Sequence, residues 1–313
     1  MSQARTTSPS GRNDREPRRS YSLDGRIIAA AALAPGLHIV STPIGNLGDI
    51  TVRALATLAA ADLIACEDTR VTRKLLDRYA IAVPLTPYHD HNAATARPKL
   101  LQKLAEGAAV ALVSDAGTPL ISDPGYKLVR AAQEAGHAVT AIPGASSVLA
   151  ALTVSGLPSD QFFFAGFLPS KQTARRARIA ELARVPATLI LFEAGPRIAE
   201  TLTDLAAGFG ERDAAVCREL TKLHEEIRRG PLARLAGKGA EQETRGEFVV
   251  VIAPPPAAAP PAEDDTDALL RAALARTSLK DAVGEVAVAT GLPRRTLYQR
   301  ALALAEEKIG EDE

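Results

Sequence analysis

Three times between residues 37 and 147, a short apolar run breaks into a loop of small residues and then resumes as a helical pattern. Leu37–Val40 leads into Thr42-Pro-Ile-Gly-Asn-Leu-Gly-Asp-Ile50. Val110–Val113 leads into Ser114-Asp-Ala-Gly-Thr-Pro119 and Asp123-Pro-Gly125, and Val139–Ile142 into Pro143-Gly-Ala-Ser-Ser147. Apolar runs of this length, bounded by Gly and Pro, read as buried strands. Their alternation with helical patterns predicts an α/β class with a largely parallel sheet covered on both faces. Open sheets of this kind bind ligands where strand carboxyl ends turn into loops. Small residues there let backbone approach a ligand, and carboxylates accept from its hydroxyls or amines. Each loop alone is equally an ordinary strand-to-helix turn. Three together predict a crevice.

The alternation extends along most of the chain. Leu63–Cys66 reads as a further strand, with helices over Val52–Ala60, Ala94–Glu106 and Tyr126–Ala135; Thr51 and Asp123 are candidate caps. A second set of strands, Phe162–Ala165, Thr188–Phe192, Ala214–Cys217 and Phe248–Ile252, predicts a second α/β domain with mixed strand directions. Its helices read as Ala174–Ala183 and Ile198–Ala207. Gly156-Leu-Pro158 is the natural boundary, giving domains over 35–157 and 158–253. Residues 1–34 are rich in Arg, Ser, Thr and Pro and read as a disordered extension. Residues 254–265 read as a Pro/Ala/acidic linker. Residues 266–313 read as a helix-turn-helix-like module, with helices over Lys280–Ala289 and Arg294–Ala305 around Thr290-Gly-Leu-Pro293 and a capping box at Ser278. Arg294, Arg295 and Arg300 on its second helix can meet phosphates; the alternative is a helical hairpin used only for packing.

Charge balances at 37 basic and 37 acidic residues, so no global field points to nucleic acid. The two cysteines, Cys66 and Cys217, lie in apolar runs and read as buried free thiols of a reducing compartment. No apolar run has membrane-span length, and Met1–Arg26 lacks the order of a signal peptide, which predicts a soluble cytoplasmic protein. The glycine fingerprints of dinucleotide and P-loop sites are both missing.

Several polar groups fall at strand ends. Glu67-Asp-Thr-Arg70 supplies either a structural ion pair or a general base and substrate clamp. Glu193 and Arg218-Glu219 occupy similar places in the second set. His89-Asp-His91 lacks the further ligands of a zinc site, so no metal is expected and a polar loop beside the cleft is the reading. Lys171, Arg175, Arg176 and Arg178 form a basic cluster, either a solvated helix face or an RNA contact.

Taken in order, Thr42-Pro-Ile-Gly-Asn-Leu47, Glu67-Asp-Thr-Arg70, His89-Asp-His-Asn92, Ser114-Asp-Ala-Gly-Thr-Pro119, Asp123-Pro-Gly125, Gly166-Phe-Leu-Pro169, Arg218-Glu-Leu-Thr-Lys222 and Gly246-Glu247 form a specific string. It closely resembles the ribosomal RNA small subunit methyltransferase I family of the tetrapyrrole methylase superfamily, over about Leu37–Ala253 and into the terminal module. Pro143-Gly-Ala-Ser departs from the family's usual Pro-Gly-Pro, and Phe192-Glu-Ala-Gly-Pro-Arg197 from Glu-Ser-(Pro/Thr)-His-Arg. The resemblance implies S-adenosylmethionine bound between two α/β domains, a homodimer, and 2′-O-methylation of a cytidine ribose in the decoding region of small-subunit RNA. Cofactor contacts are then expected from Pro43, Gly45, Asn46, Asp115, Ala116, Gly117, Thr118, Ser122, Asp123, Ser146, Glu219, Leu220 and Gly246. Catalytic roles are expected among Glu67, Asp68, Arg70 and His89, with Glu193 also a candidate and the base unassigned. RNA contacts are expected from Lys171, Arg175, Arg176, Arg294 and Arg295. The partner is small-subunit RNA or the assembled subunit, with neither DNA nor membrane involved. The rival readings are a methyltransferase acting on a tetrapyrrole, and a non-catalytic RNA-binding assembly factor.

Overall fold

The computed structural model describes residues 19–237, 244–256 and 263–311. The chain divides into two units, the first ending at Pro255 and the second beginning at Pro256. The first opens on an antiparallel hairpin, β1 (Ser20–Leu23) and β2 (Arg26–Ala29). Then follow β3 (Gly36–Val40), α1 (Val52–Ala60), β4 (Leu63–Cys66), α2 (Thr69–Arg78), β5 (Leu85–Pro87), α3 (Ala93–Ala105), β6 (Ala109–Val113), α4 (Tyr126–Glu134) and β7 (Val139–Ile142). The five strands after the hairpin form one parallel sheet in the order β5-β4-β6-β3-β7. Central β6 is buried at every residue, which is why it reads as an unbroken apolar run. Separate apolar clusters cover the two faces, one including Leu55, Leu58 and Leu76, the other Leu100, Leu104 and Leu128.

The hairpin corrects the expectation of a disordered extension over residues 1–34. Tyr21 is 4% exposed and packs into the cluster around Leu55 and Leu58. The Ser22 amide donates to the Tyr79 carbonyl (2.7 Å), and Arg19 pairs with Asp62 (2.6 Å). The polar residues that suggested disorder alternate with Tyr21, Leu23 and Ile28, which hold the hairpin on the sheet's helical layer. Residues 1–18 of the expected extension lie outside the described residues.

Helix α5 (Ser147–Ser155) follows β7 and ends on Gly156 in the left-handed region, φ +76°. Next come β8 (Phe162–Phe167), α6 (Gln172–Leu182), β9 (Thr188–Ala194), α7 (Ile198–Phe209), β10 (Asp213–Arg218), β11 (Glu226–Pro231), α8 (Leu232–Gly237) and β12 (Glu247–Ile252). The second sheet runs β11-β10-β12-β9-β8. Only β8–β9 is parallel; the other three pairings are antiparallel, as the mixed-direction reading expected. Helix α5 is apolar on nearly every side; its inner face packs between the halves, while Leu149 stays 51% exposed. Its Val148, Ala151 and Leu152 share a cluster with Ile190, Cys217 and Val249 of the second sheet and Ile44 of the first half. The two expected α/β domains are therefore joined through a common core.

The second unit holds α9 (Glu263–Leu274), α10 (Leu279–Thr290) and α11 (Arg294–Glu311). Ser278 caps α10, accepting from the Asp281 amide, and Gly291 ends it at φ +70°. Leu270, Val283, Val286 and Leu297 form a core from all three helices. The module is thus three helices rather than two, with α9 starting inside the expected linker. Residues 257–262 of that linker lie outside the described residues.

Candidate functional site

The loops after β3, β6 and β7 are knitted together at the carboxyl edge of the first sheet. Thr42 and Gly117 exchange backbone hydrogen bonds (2.9 and 3.1 Å). The Thr42 hydroxyl donates to the Ser114 carbonyl (3.2 Å), and the Thr118 hydroxyl to the Ala145 carbonyl (3.2 Å). Gly117 sits at φ +81°, and a Cβ there would meet Ile44 Cγ2 at 3.2 Å. Leu120 and Ser122 also have positive φ, as do Glu219 and Thr221 on the facing loop of the second sheet. Positive φ in bulky residues marks stored backbone strain, and here it concentrates on two loops around one cleft.

That cleft contains a cavity of about 340 Å³ between the two sheets. Its walls include Ala116, Gly117, Thr118, Ser122, Asp123 and Ser146 from the first half, and Phe167, Phe192 and Gly246 from the second. Seven expected cofactor residues therefore surround one space. A second cavity, about 290 Å³, adjoins it and shares Ile44, Ala116 and Glu247 in its wall. Pro43, Gly45 and Asp115 line this second space. Asn46 lines neither; its side chain caps the short turn Leu47–Asp49 by accepting from the Gly48 amide. Leu220 is buried in the shared core. Glu219 braces the rim. Its carboxylate accepts from the Glu247 amide (2.9 Å) and Lys222 Nζ (2.9 Å), and a Cβ on Gly246 would strike it. These three thus shape the cleft without lining the larger cavity, which the chain motif alone did not reveal.

The carboxylates divide by environment. Burial pushes Glu67 up, and the negative charges of Asp115, Asp123 and Asp90 push it further. Burial also raises Asp115 and Asp123. Asp68 goes the other way, to about 2, because Arg70 and the first amides of α2 bond to its ionised form. Asp68 caps α2 and grips the exposed Arg70 in a two-pronged pair, with Nη2 to Oδ2 at 2.6 Å. It is a poor base and a good clip. The Asp68 amide in turn donates to Asp115 Oδ1 (3.0 Å), so the strand ends of β4 and β6 are fixed together.

Of two further candidates, Glu193 is occupied structurally and His89 stands apart from both cavities. Glu193 is 2% exposed and accepts from the Ala194 amide (2.8 Å) and the Thr201 hydroxyl (2.7 Å), with Arg197 at 3.3 Å. His89 lines neither cavity. Its ring lies against His91, and its Nδ1 is buried with no partner among the described residues.

The expected RNA contacts separate as well. Arg175 is corrected: it is 1% exposed and donates to Asp204 Oδ2 at 2.7 Å, so it cannot reach a phosphate. Burial alone would raise Asp204, but Arg176 and Arg175 outweigh it and hold the carboxyl low. Arg176 is exposed and also bound to Asp204 (2.8 Å). Lys171, Arg294 and Arg295 are exposed, while Arg300 is paired with Asp267 inside the terminal unit. Both cysteines are free and fully buried, and burial raises their thiols, Cys217 to about 11. Among the described residues, no group of acidic, His or Cys side chains is placed to hold a metal, and no helix is long and apolar enough to cross a membrane.

The larger cavity fits a folded sulfonium nucleoside. It offers a small-residue cradle that a Cβ would narrow, the aromatic rings of Phe167 and Phe192, and the Asp123 carboxylate for hydroxyls. A parallel sheet joined to a mixed sheet across such a cleft defines a methylase of the tetrapyrrole type. The model of the Tetrapyrrole (Corrin/Porphyrin) Methylases matches residues 36–236, and that of the RsmI C-terminal HTH domain matches 260–305. A cobalt precorrin-4 methyltransferase of cobalamin biosynthesis shares the fold, with a TM-score of 0.51 and 18% identity over 69% of this chain and 94% of that one. A ribosomal RNA small subunit methyltransferase I from Mesorhizobium japonicum is 54% identical over 89% of this chain and 95% of its own. One from Erythrobacter litoralis is 54% identical over 88% and 98%. The chain belongs to the ribosomal RNA small subunit methyltransferase I family.

Proposed function

We propose that the protein transfers a methyl group from S-adenosylmethionine to the 2′-oxygen of a cytidine ribose in the decoding region of small-subunit ribosomal RNA, in the cytoplasm and as a homodimer. The observation that carries this reading is the pair of adjoining cavities. One is a cradle of small residues, and the other is edged by a carboxylate whose proton affinity is raised.

S-adenosylmethionine supplies an electrophilic methyl carbon on its sulfonium. Gly117 and Gly246 would hold the donor against small-residue backbone, and Asp123 would accept from its hydroxyls. A ribose hydroxyl attacks well only as its proton leaves. Asp115 lines the second cavity and takes that proton. A base placed in this way contributes roughly 10²–10⁴-fold. Asp68 and Arg70 hold the strand end and present a guanidinium at the mouth. The requirement for a 2′-hydroxyl separates RNA from DNA.

The experiment is a single-turnover assay of labelled methyl transfer to small subunits that lack the modification, with the wild-type protein and Asp115→Asn. The wild type transfers label, and the variant binds the donor while losing at least a hundredfold in rate. Transfer at the wild-type rate by the variant would remove Asp115 from the chemistry.

A further inference from the structure

Helix α2 carries an arrangement that neither the family motif nor the cofactor cradle requires. Arg70, Arg73, Lys74 and Arg78 are all exposed, and Asp77 is its single acid. Among the described residues, no carboxylate pairs with Arg73, Lys74 or Arg78. Arg70, Lys74 and Arg78 repeat every fourth residue and so form one stripe, about 12 Å long at 1.5 Å per residue. Lys103 and Arg130 on α3 and α4, by contrast, are neutralised by Glu106 and Glu134.

This basic stripe borders the second cavity. Lys74 stands in its wall. So do Val71 from α2 and Leu47 from the loop after β3, apolar side chains left 38% and 40% exposed. Asp115 supplies a carboxylate in the same wall, able to accept from an exocyclic amine or a sugar hydroxyl. Volume near 290 Å³ is at the lower end of small-ligand pockets, the scale of one nucleoside rather than a stack. Apolar sides, one acceptor and adjoining unpaired cations are what single-stranded nucleic acid needs: a base inserted, and its neighbouring phosphates held outside.

We propose that this cavity receives one extruded nucleoside of single-stranded RNA, and that Lys74 and Arg78 of α2 hold the phosphates beside it. The proposal rests on the functional reading above and names the surface that presents the substrate to the shared wall at Ile44 and Ala116. A duplex cannot place a base there without unpairing it, so loops and unpaired segments are preferred.

The test uses the full chain and a single-stranded RNA dodecamer with one central cytidine, with affinity read by fluorescence anisotropy across a salt series. Lys74→Gln/Arg78→Gln is expected to lower RNA affinity at least tenfold at low salt. It should also reduce the slope of log affinity against log salt by about 1.4, since each phosphate contact on a single strand contributes about 0.7. S-adenosylmethionine affinity by calorimetry should stay within twofold. Lys127→Gln on exposed α4 should leave the slope unchanged. An unchanged slope in the double variant, with methylation at the wild-type KM, overturns the proposal while leaving the functional reading in place. Failure of the wild-type protein to methylate small subunits that lack the modification would instead overturn the functional reading.

Discussion

Glu67 and Asp68 are consecutive acids with opposite electrostatic fates. Burial and three neighbouring carboxylates raise the first, while Arg70 and helix amides lower the second. The sequence shows two acids at a strand end; which one retains its proton more readily depends on Asp115 and Asp123, which lie about fifty residues away and arrive only with the sheet. The consequence has a sign. A carboxyl raised in the folded state costs stability when ionised, and that cost disappears as pH falls through its folded value. Glu67→Gln is therefore expected to raise the melting temperature at neutral pH, and to raise it less in acid, where the Glu67 carboxyl is protonated in the folded state. A lower melting temperature at neutral pH would contradict this. Arg175 illustrates the reverse error of a sequence reading. Its place in a basic run suggested RNA, and its actual partner, Asp204, comes from the next helix. Asp204→Asn leaves two guanidinium groups short of a counter-charge, one of them buried, and is expected to destabilise the fold by roughly 3–5 kcal/mol in denaturant titration, without changing the salt dependence of RNA binding.

At the scale of elements, the runs with strong periodicity were legible. Val52–Ala60, Leu63–Cys66 and Val139–Ile142 occur with the bounds that pattern alone predicts. The hairpin β1–β2, helix α2 and helix α9 were not. Short strands with polar alternation resemble a tail until a core receives Tyr21, and α2 is mostly charged outside Thr72, Leu75 and Leu76. Tyr21→Ala is expected to cost about 3 kcal/mol, because it empties a buried aromatic site rather than altering a loose extension. Thermal melts of that variant at the wild-type melting temperature would show an undiminished transition if the hairpin contributed nothing. The loop elements are tested by Gly117→Val. A branched side chain at φ +81° against Ile44 strains the bridge to Thr42, so donor affinity should fall more than tenfold in a chain that still unfolds cooperatively. The terminal three-helix unit has its own core and its own capped helices. Removing residues 256–313 is expected to leave donor affinity within a few-fold and to weaken RNA binding, with Arg294 and Arg295 contributing to the lost salt dependence. Identical RNA affinity with and without the unit would exclude it from substrate recognition.

For the whole molecule, one helix packed between two sheets makes them into one binding unit. The sequence separated two α/β sets at Gly156, and the turn is there, but α5 before it packs its apolar sides on the second sheet. A run that is apolar at nearly every position leaves no periodic signal from which to tell which sheet a helix will choose. That choice brings the loops of the first sheet opposite Phe167, Phe192 and Gly246 and creates the adjoining cavities. Motifs scattered over more than two hundred residues acquire a common chemistry only through this closure. These cavities are proposed to carry a methyl group from S-adenosylmethionine to a ribose oxygen of small-subunit RNA. The direct measurement is transfer of tritiated methyl to unmodified small subunits, followed by alkaline hydrolysis and nuclease mapping of the labelled RNA. The account predicts label at a single cytidine whose 3′ linkage resists alkali, because its 2′-oxygen is blocked. Label on a base, with the linkage still cleaved by alkali, or no label on RNA alongside transfer to a tetrapyrrole, would contradict it.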